Sequence, residues 1–212
     1  KVLGKRQDAR KYGRLYDAIV EELNREYVTG TGRLVSETQT ACALFLYFDL
    51  IREEHRSRVV KILGDNLTQH RGHLTTGFVG TAYLCHALSE NGRHELAENL
   101  LLNEEYPGWL YAVNMGATTI WERWNSILPN GDFDASGMNS LNHYTYGSIG
   151  DWLYRKVAGI NLLASAYLML IFSLWFGFSS LIIDSMTSLV SFPSWENRFS
   201  LMAWARDGVA SA

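Results

Sequence analysis

Along roughly the first 160 positions, apolar residues recur at three- and four-residue steps, the spacing of one face of an α-helix. Tyr12, Leu15, Tyr16, Ile19, Val20, Leu23 and Tyr27 line one such face, and Gly30 and Gly32 end the helix that carries it. A second helix is predicted from Thr38 through Ala41, Leu44, Phe45 and Phe48 to Ile51. Ser36 is its predicted N-cap, because a hydroxyl oxygen can accept an unpaired amide of the first turn. A third helix spans Glu53 to Gln69 on a stripe of Val59, Val60, Ile62, Leu63 and Leu67. The stretch from His70 to Gly77 reads as a turn. A fourth helix covers Val79 to Asn91 with Gly92 as its stop, and a fifth follows from Arg93 to Asn103. Tyr106-Pro-Gly-Trp-Leu-Tyr111 interrupts the helical pattern. A short helix carrying Thr118 to Trp124 is predicted after Gly116, then a polar loop from Asn125 to Gly137 with Pro129 and Asn130-Gly131, then a last helix from His143 to Ala158. No stretch alternates apolar and polar residues strictly over more than four positions, so no strand is predicted. Helices joined by such short turns pack as antiparallel neighbours. The fold class is all-α, a series of helical hairpins with no repeat of fixed period.

The texture changes near residue 160. Only five of the 41 charged side chains fall in the last 52 residues: Asp184, Glu196, Arg198, Arg206 and Asp207. Leu162 to Ile183 is a charge-free run of 22 residues, the length that spans a bilayer as a helix. Two domains follow: residues 1–160, helical, and residues 161–212, an atypical apolar C-terminal segment. The 47% hydrophobic content excludes a disordered chain, and a net charge of −3 gives no basic field for nucleic acid. Cys42 and Cys85 both lie inside apolar helical runs and read as buried free thiols. The chain opens at Lys1 with no signal-like apolar stretch, and cytoplasmic, periplasmic and secreted placements all stay open.

The densest cluster of unusual residues is Gly116-Ala-Thr-Thr-Ile-Trp-Glu-Arg-Trp124. It sets Glu122 between Trp121 and Trp124, with Trp109 upstream. The C–H faces of a sugar pack on flat aromatic rings while its hydroxyls need carboxylates and amides, so this grouping suits carbohydrate. Glu122 is the candidate catalytic group, as a base on water, or as an acid where burial raises its pKa. The alternative is an ordinary helix whose tryptophans fill core and whose Glu122 pairs with Arg123 or solvent. In Met138-Asn-Ser-Leu-Asn-His-Tyr-Thr-Tyr-Gly147, His143 either donates to a hydroxyl or caps a helix. Asn130-Gly-Asp-Phe-Asp134 looks locally like a calcium loop but lacks the later glutamate. His70 and His73 have no third ligand at metal-site spacing, so no metal site is expected. Phosphate-binding and dinucleotide fingerprints are absent, and no cofactor is expected.

Five blocks in order carry a family resemblance: Thr38-Gln-Thr-Ala-Cys-Ala-Leu44, His73-Leu-Thr-Thr-Gly-Phe-Val-Gly80, Glu105-Tyr-Pro107, the block ending at Trp124, and the block ending at Gly147. Over about residues 30–160 the chain resembles bacterial α-L-rhamnosidases of glycoside hydrolase family 78. The resemblance implies about half of an (α/α)6 barrel, a ring of six hairpins with the site at one end. It implies inverting hydrolysis of a terminal α-L-rhamnosyl bond, with a rhamnoside as the carbohydrate partner. Glu122 falls on the family's general base and His143 on a histidine that contacts rhamnose. Trp109 and Trp124 fall near the site, as substrate-binding candidates.

The sequence departs from that pattern twice. The family's general acid is a glutamate in an upstream Asp-Glu-Arg-x-Gly-Trp-like motif, which this chain does not contain, so a fragment inactive alone is expected. After Ile160 the family continues into a β-sandwich, whereas here an apolar run begins at Asn161. That run is either a membrane helix, with membrane contact confined to residues 162–183, or sequence read out of frame. A non-catalytic helical interaction module with a membrane-anchoring tail is the competing reading. A solvated Glu122 far from His143 would favour it.

Overall fold

In a computed structural model of the chain, residues 3–161 are described. The apolar C-terminal segment, including the run predicted as a membrane helix at 162–183, lies outside the described residues. No described helix is long and apolar enough to cross a membrane. Residues Arg10–Trp152 form one compact unit, which holds every candidate site residue. The described part of the other unit comprises residues 3–9 and residues 153–161, the latter with a π-type turn at Leu153–Val157.

The expectation of an all-α hairpin fold holds among the described residues. Helix α1 (Arg6–Tyr27) is followed by α2 (Gln39–Tyr47), α3 (Glu53–Gln69), α4 (Phe78–Glu90), α5 (His94–Leu101), α6 (Trp109–Asn114) and the short α7 (Ile149–Trp152). Only isolated bridges, Val28 with Leu34 and Ile127 with Phe133, have strand-like pairing. The hairpins α2–α3 and α4–α5 lie side by side, with α2 and α4 in closest association.

Helix α4 is the hub of the core. Gly80, Thr81, Leu84, Cys85, His86, Ala87 and Leu88 are all buried, so almost its whole circumference is packed. Across from it α2 buries Cys42, Ala43 and Leu46. Gly80 permits the close approach. A Cβ there would collide with the Thr40 hydroxyl and lie 2.8 Å from Thr76 Cγ2. Helix α3 buries Val59, Leu63 and Leu67, one turn apart, while Val60 and Ile62 sit at the margin of the interface. Trp152 is 1% exposed and donates from Nε1 to Ser89 Oγ (2.8 Å), which also meets His94 Nδ1 at 2.8 Å. His86 Nε2 lies 3.0 Å from Asp151 Oδ2, tying α4 to α7. Both cysteines are buried and free, as expected, and burial pushes each thiol up to about 12.

Helix α1 is held differently. Its hydrogen bonds reach the turn after α2: Tyr16 Oη donates to Asp49 O (2.9 Å) and Asn24 Nδ2 to Leu50 O (2.7 Å), while Arg52 N donates to Asn24 Oδ1 (3.3 Å). The stripe of Tyr12, Leu15, Ile19 and Tyr27 stands exposed among the described residues.

Five local expectations are corrected. The cap of α2 is Thr38, not Ser36: its Oγ1 accepts from Ala41 N at 3.2 Å. Helix α2 also stops at Tyr47 rather than Ile51, where the chain turns through Asp49 at φ 53. A helix stands at Trp109–Asn114, within a stretch read as an interruption. Pro107 and Gly108 precede that helix instead of breaking it, and Gly108 fits because a Cβ would lie 3.0 Å from the carbonyl oxygens of Asn103 and Glu105. No helix forms at Thr118–Trp124, and the predicted last helix is broken into a 3-10 turn (Thr145–Ser148), α7 and the π-type turn.

Candidate active site

Residues 119–122 form no helix because their backbone is paired elsewhere. Glu122 N donates to Ser140 O (2.9 Å) and His143 N to Ile120 O (2.8 Å), while Thr119 Oγ1 donates to Leu141 O. Two segments that sequence spacing keeps some 20 residues apart are thereby laced together. The loop between them doubles back on itself. Leu128 N donates to Asp132 O (2.8 Å) and Gly131 N to Leu128 O (2.8 Å), around Gly131 at φ 85. Asp134 organises the return. Its carboxylate accepts from Ser136 N (2.9 Å), the Ser136 hydroxyl and Asn125 Nδ2 (2.9 Å), and its carbonyl accepts from Asn139 Nδ2. Those Ser136 donors hold the Asp134 carboxyl below the usual carboxylate range, with smaller help from Arg123 and Asn125. The calcium-like appearance of residues 130–134 is thus accounted for by turn-forming hydrogen bonds, with Asp132 accepting from Asn130 Nδ2 (2.7 Å).

Glu122 is partly buried, and its Oε2 accepts from Ser140 N at 3.1 Å. That bond fixes the carboxylate to the same segment that carries His143, while Oε1 has no hydrogen bond among the described residues. The imidazole of His143 lies nearly parallel to the Phe78 ring (centroids 5.1 Å, 18°) and to the Tyr144 ring (5.2 Å, 12°). Its Nδ1 meets Thr145 Oγ1 at 2.9 Å and Thr145 N at 3.4 Å. Phe78 is the first residue of α4, so the helix hub reaches this histidine directly.

Trp109 and Trp124 belong to a neighbouring aromatic stack. Trp124 lies on Tyr146 (3.7 Å, 15°), meets Trp109 edge-on (5.2 Å, 85°), and Tyr146 in turn contacts Phe78 (5.2 Å). Trp109 Nε1 donates to Tyr146 O (2.9 Å). Both tryptophans are at least nine-tenths buried, so the core-packing alternative describes most of their surface. They line, with Trp121, Tyr146, Ile120 and Arg123, a cavity of about 310 Å3, which Glu122 and His143 do not line. Burial raises the Tyr146 phenol, partly offset by Arg123. A larger open groove of about 630 Å3, between α3 and residues 33–37, is lined by the ion pairs Arg33–Glu37 and Lys61–Asp65 and contains no aromatic ring.

The structure therefore brings the Glu122 and His143 segments together and sets Trp109 and Trp124 beside them. Sequence reasoning missed Phe78, Tyr146 and Thr145 as individual residues. All three lie inside the blocks that carried the family resemblance, which was the only signal available for them.

Comparison with known proteins points the same way. Residues 1–157 match the family model of the bacterial alpha-L-rhamnosidase 6 hairpin glycosidase domain. An alpha-L-rhamnosidase of Formosa agariphila is 42% identical over 167 residues, covering 78% of this chain and 18% of that protein. One from Streptomyces avermitilis is 39% identical over 158 residues, covering 74% of this chain and 15% of the relative. Among solved structures, the Streptomyces avermitilis alpha-L-rhamnosidase complexed with L-rhamnose superposes with a TM-score of 0.68 at 38% identity, covering 72% of this chain and 15% of that one. The alpha-L-rhamnosidase of Aspergillus terreus gives 0.72 at 39% identity, covering 75% and 18%. The chain belongs to the bacterial α-L-rhamnosidase six-hairpin glycosidase family. It spans between 15 and 18% of the length of these relatives.

Proposed function

We propose that this member of the six-hairpin family supplies the base half of an inverting α-L-rhamnosidase site, on a catalytic domain to which residues 1–160 contribute. The observation that carries the reading is the lacing of residues 119–122 onto 140–143, which sets the Glu122 carboxylate on the His143 segment. In this reading Glu122 Oε1 takes the proton from a water that attacks the anomeric carbon, while Oε2 stays anchored on Ser140 N. His143 contacts a rhamnose hydroxyl. Trp109 and Trp124 support the sugar-facing wall from the aromatic stack behind it. The substrate is a terminal α-L-rhamnoside, a class supported by the names of the relatives. Inversion also requires a general acid, a second carboxylate about 6.5–9.5 Å from the base. No residue of this chain matches the family's acid motif, so the chain on its own is expected not to release rhamnose at an enzyme-like rate.

The test is Glu122→Gln in the complete catalytic domain. The amide keeps the side chain's size and its acceptor for Ser140 N but cannot take a proton from water. General-base help is worth roughly 10²–10⁴ in rate, or about 3–5 kcal/mol of barrier. Turnover of an aryl α-L-rhamnoside should fall by that factor with an unchanged melting temperature. Wild-type turnover in the Gln protein would remove Glu122 from the mechanism. The competing reading, a non-catalytic interaction module, required a Glu122 in solvent far from His143, and the Glu122–Ser140 hydrogen bond does not favour it.

A further inference from the structure

We propose that Thr145 is a positioning residue that locks His143 as the Nε2–H tautomer, making Nε2 the hydrogen-bond donor offered to the sugar. The inference rests on the reading of His143 as a sugar contact, and it adds which ring nitrogen makes that contact and what sets it.

Two groups of Thr145 meet His143 Nδ1: the amide, which can only donate, and the hydroxyl, which can donate or accept. Thr145 N points its hydrogen at His143 Nδ1 (3.4 Å), and Thr145 Oγ1 lies 2.9 Å from the same nitrogen. A neutral imidazole has one N–H and one lone pair. A proton on Nδ1 would face the Thr145 amide proton, two hydrogens aimed at each other. A lone pair on Nδ1 accepts from the amide and from the hydroxyl together. The proton therefore sits on Nε2, which has no hydrogen-bond partner among the described residues.

The same geometry reconciles the two roles open to this residue. Nδ1 accepts from the amide of Thr145, the first residue of the 3-10 turn, and that bond is what commits Nε2 to being a donor. The Phe78 ring, nearly parallel to the imidazole at 5.1 Å, fixes the plane in which that N–H lies. A donor suits a sugar hydroxyl, whose oxygen lone pairs accept, and it leaves the hydroxyl's own proton free for a carboxylate.

The test uses the 212-residue chain labelled with ¹⁵N-histidine at about pH 8, where an ordinary imidazole is neutral. Long-range ¹H–¹⁵N spectra distinguish a protonated ring nitrogen from one bearing a lone pair, and His143→Asn assigns the signals. The wild-type chain should show Nε2 protonated and Nδ1 bare. Thr145→Pro removes the amide donor at the first position of the 3-10 turn and should move the tautomer ratio toward Nδ1–H by roughly two- to ten-fold, the worth of one hydrogen bond. Thr145→Val removes the hydroxyl, which can donate or accept, but keeps the amide, and should hold the wild-type ratio. An Nδ1–H tautomer in the wild-type chain, or an unchanged ratio in a folded Pro variant, would overturn the proposal. Should the Pro chain not fold, the wild-type and Val spectra decide it. None of these readouts depends on turnover, so their failure is distinct from failure of the rhamnosidase reading, which Glu122→Gln tests.

Discussion

Gln39 gives the sharpest check on how the scaffold holds the site. Its side chain is fully buried at the start of α2. Nε2 donates to His73 O (3.0 Å), and Oε1 accepts from Thr75 N (2.9 Å). One amide thus clamps both sides of residue 74, just ahead of α4 and four residues before the Phe78 that faces His143. Gln39→Leu keeps a side chain of similar reach but strands a buried carbonyl and a buried amide. Each orphan costs about 1–3 kcal/mol, and burying the leucine methyls returns part of that sum, so a net loss of about 2–5 kcal/mol is expected. Urea unfolding followed by tryptophan fluorescence should show the midpoint falling at constant slope. Amide exchange should show Thr75 losing protection before the interior of α2 does. Gln39→Glu discriminates further. It keeps the acceptor for Thr75 N but sets an oxygen against His73 O, so it too should destabilise, and more as pH rises and the buried carboxyl is driven to ionise. A Leu variant within 0.5 kcal/mol of wild type (about the limit of such measurements), with Thr75 exchange unchanged, would refute the clamp.

Three further outcomes follow from the packing and titration of the fold. Gly80→Ala places a methyl against Thr40 Oγ1 and Thr76 and should cost about 1–3 kcal/mol of stability, with Thr40→Ala recovering part of it in the double variant. Neither Cys42 nor Cys85 should react with a thiol-labelling reagent until the chain unfolds, because burial holds both near 12. Since the folded value lies above the unfolded one, their contribution is complete below about pH 8.5 and is lost as pH rises from there toward 12, which thermal melts across that range would register. The Asp134 shift has the opposite sign. Its folded pKa is lowered, so its contribution is present above about pH 3.9 and is lost as pH falls through the folded value, and Asp134→Asn should flatten that acid limb of the stability profile.

What the sequence disclosed and what it hid divide along one physical line. Helices α3, α4 and α5 were legible because each buries a stripe at helical spacing, and Leu63, Leu84 and Leu100 announce that stripe locally. The N-cap of α2 was misplaced by two residues because Ser36 and Thr38 both carry hydroxyls, and only the fold decides which one meets Ala41 N. Residues 106–111 were misread because Pro and Gly mark a helix start as readily as a break. The site segments were the hardest. Gly116 to Trp124 has apolar residues at intervals that suit a helix, yet Thr118, Thr119 and Ile120 are β-branched, and their neighbourhood finds its hydrogen-bond partners some 20 residues downstream. Periodicity cannot register a partner that lies across a loop. The family blocks assigned Glu122 and His143 to one candidate site without placing them in any secondary structure.

The failed helix prediction bears on the chemistry. Had residues 118–124 been helical, the amide of Glu122 would have been spent on the carbonyl of Thr118, four residues back. It is spent instead on Ser140 O, and the side chain then meets the amide of that same residue, so Glu122 and Ser140 hold each other through two hydrogen bonds. A carboxylate tethered this way has one oxygen immobilised and the other without a partner among the described residues, which is the division of labour a general base needs. On the opposite segment, the amide of His143 is tied to Ile120 O while the ring accepts from Thr145 N through Nδ1. Each of the two candidate side chains is therefore anchored at one polar atom and has another without a partner among the described residues. The anchors are backbone groups, Ser140 N for Glu122 and Ile120 O and Thr145 N for His143, while the ring of Phe78 at the head of α4 packs on the imidazole. Under the proposed reading, the irregular backbone of residues 117–143 is thus the means by which a helical scaffold orients a base and a donor that no single helix would present together.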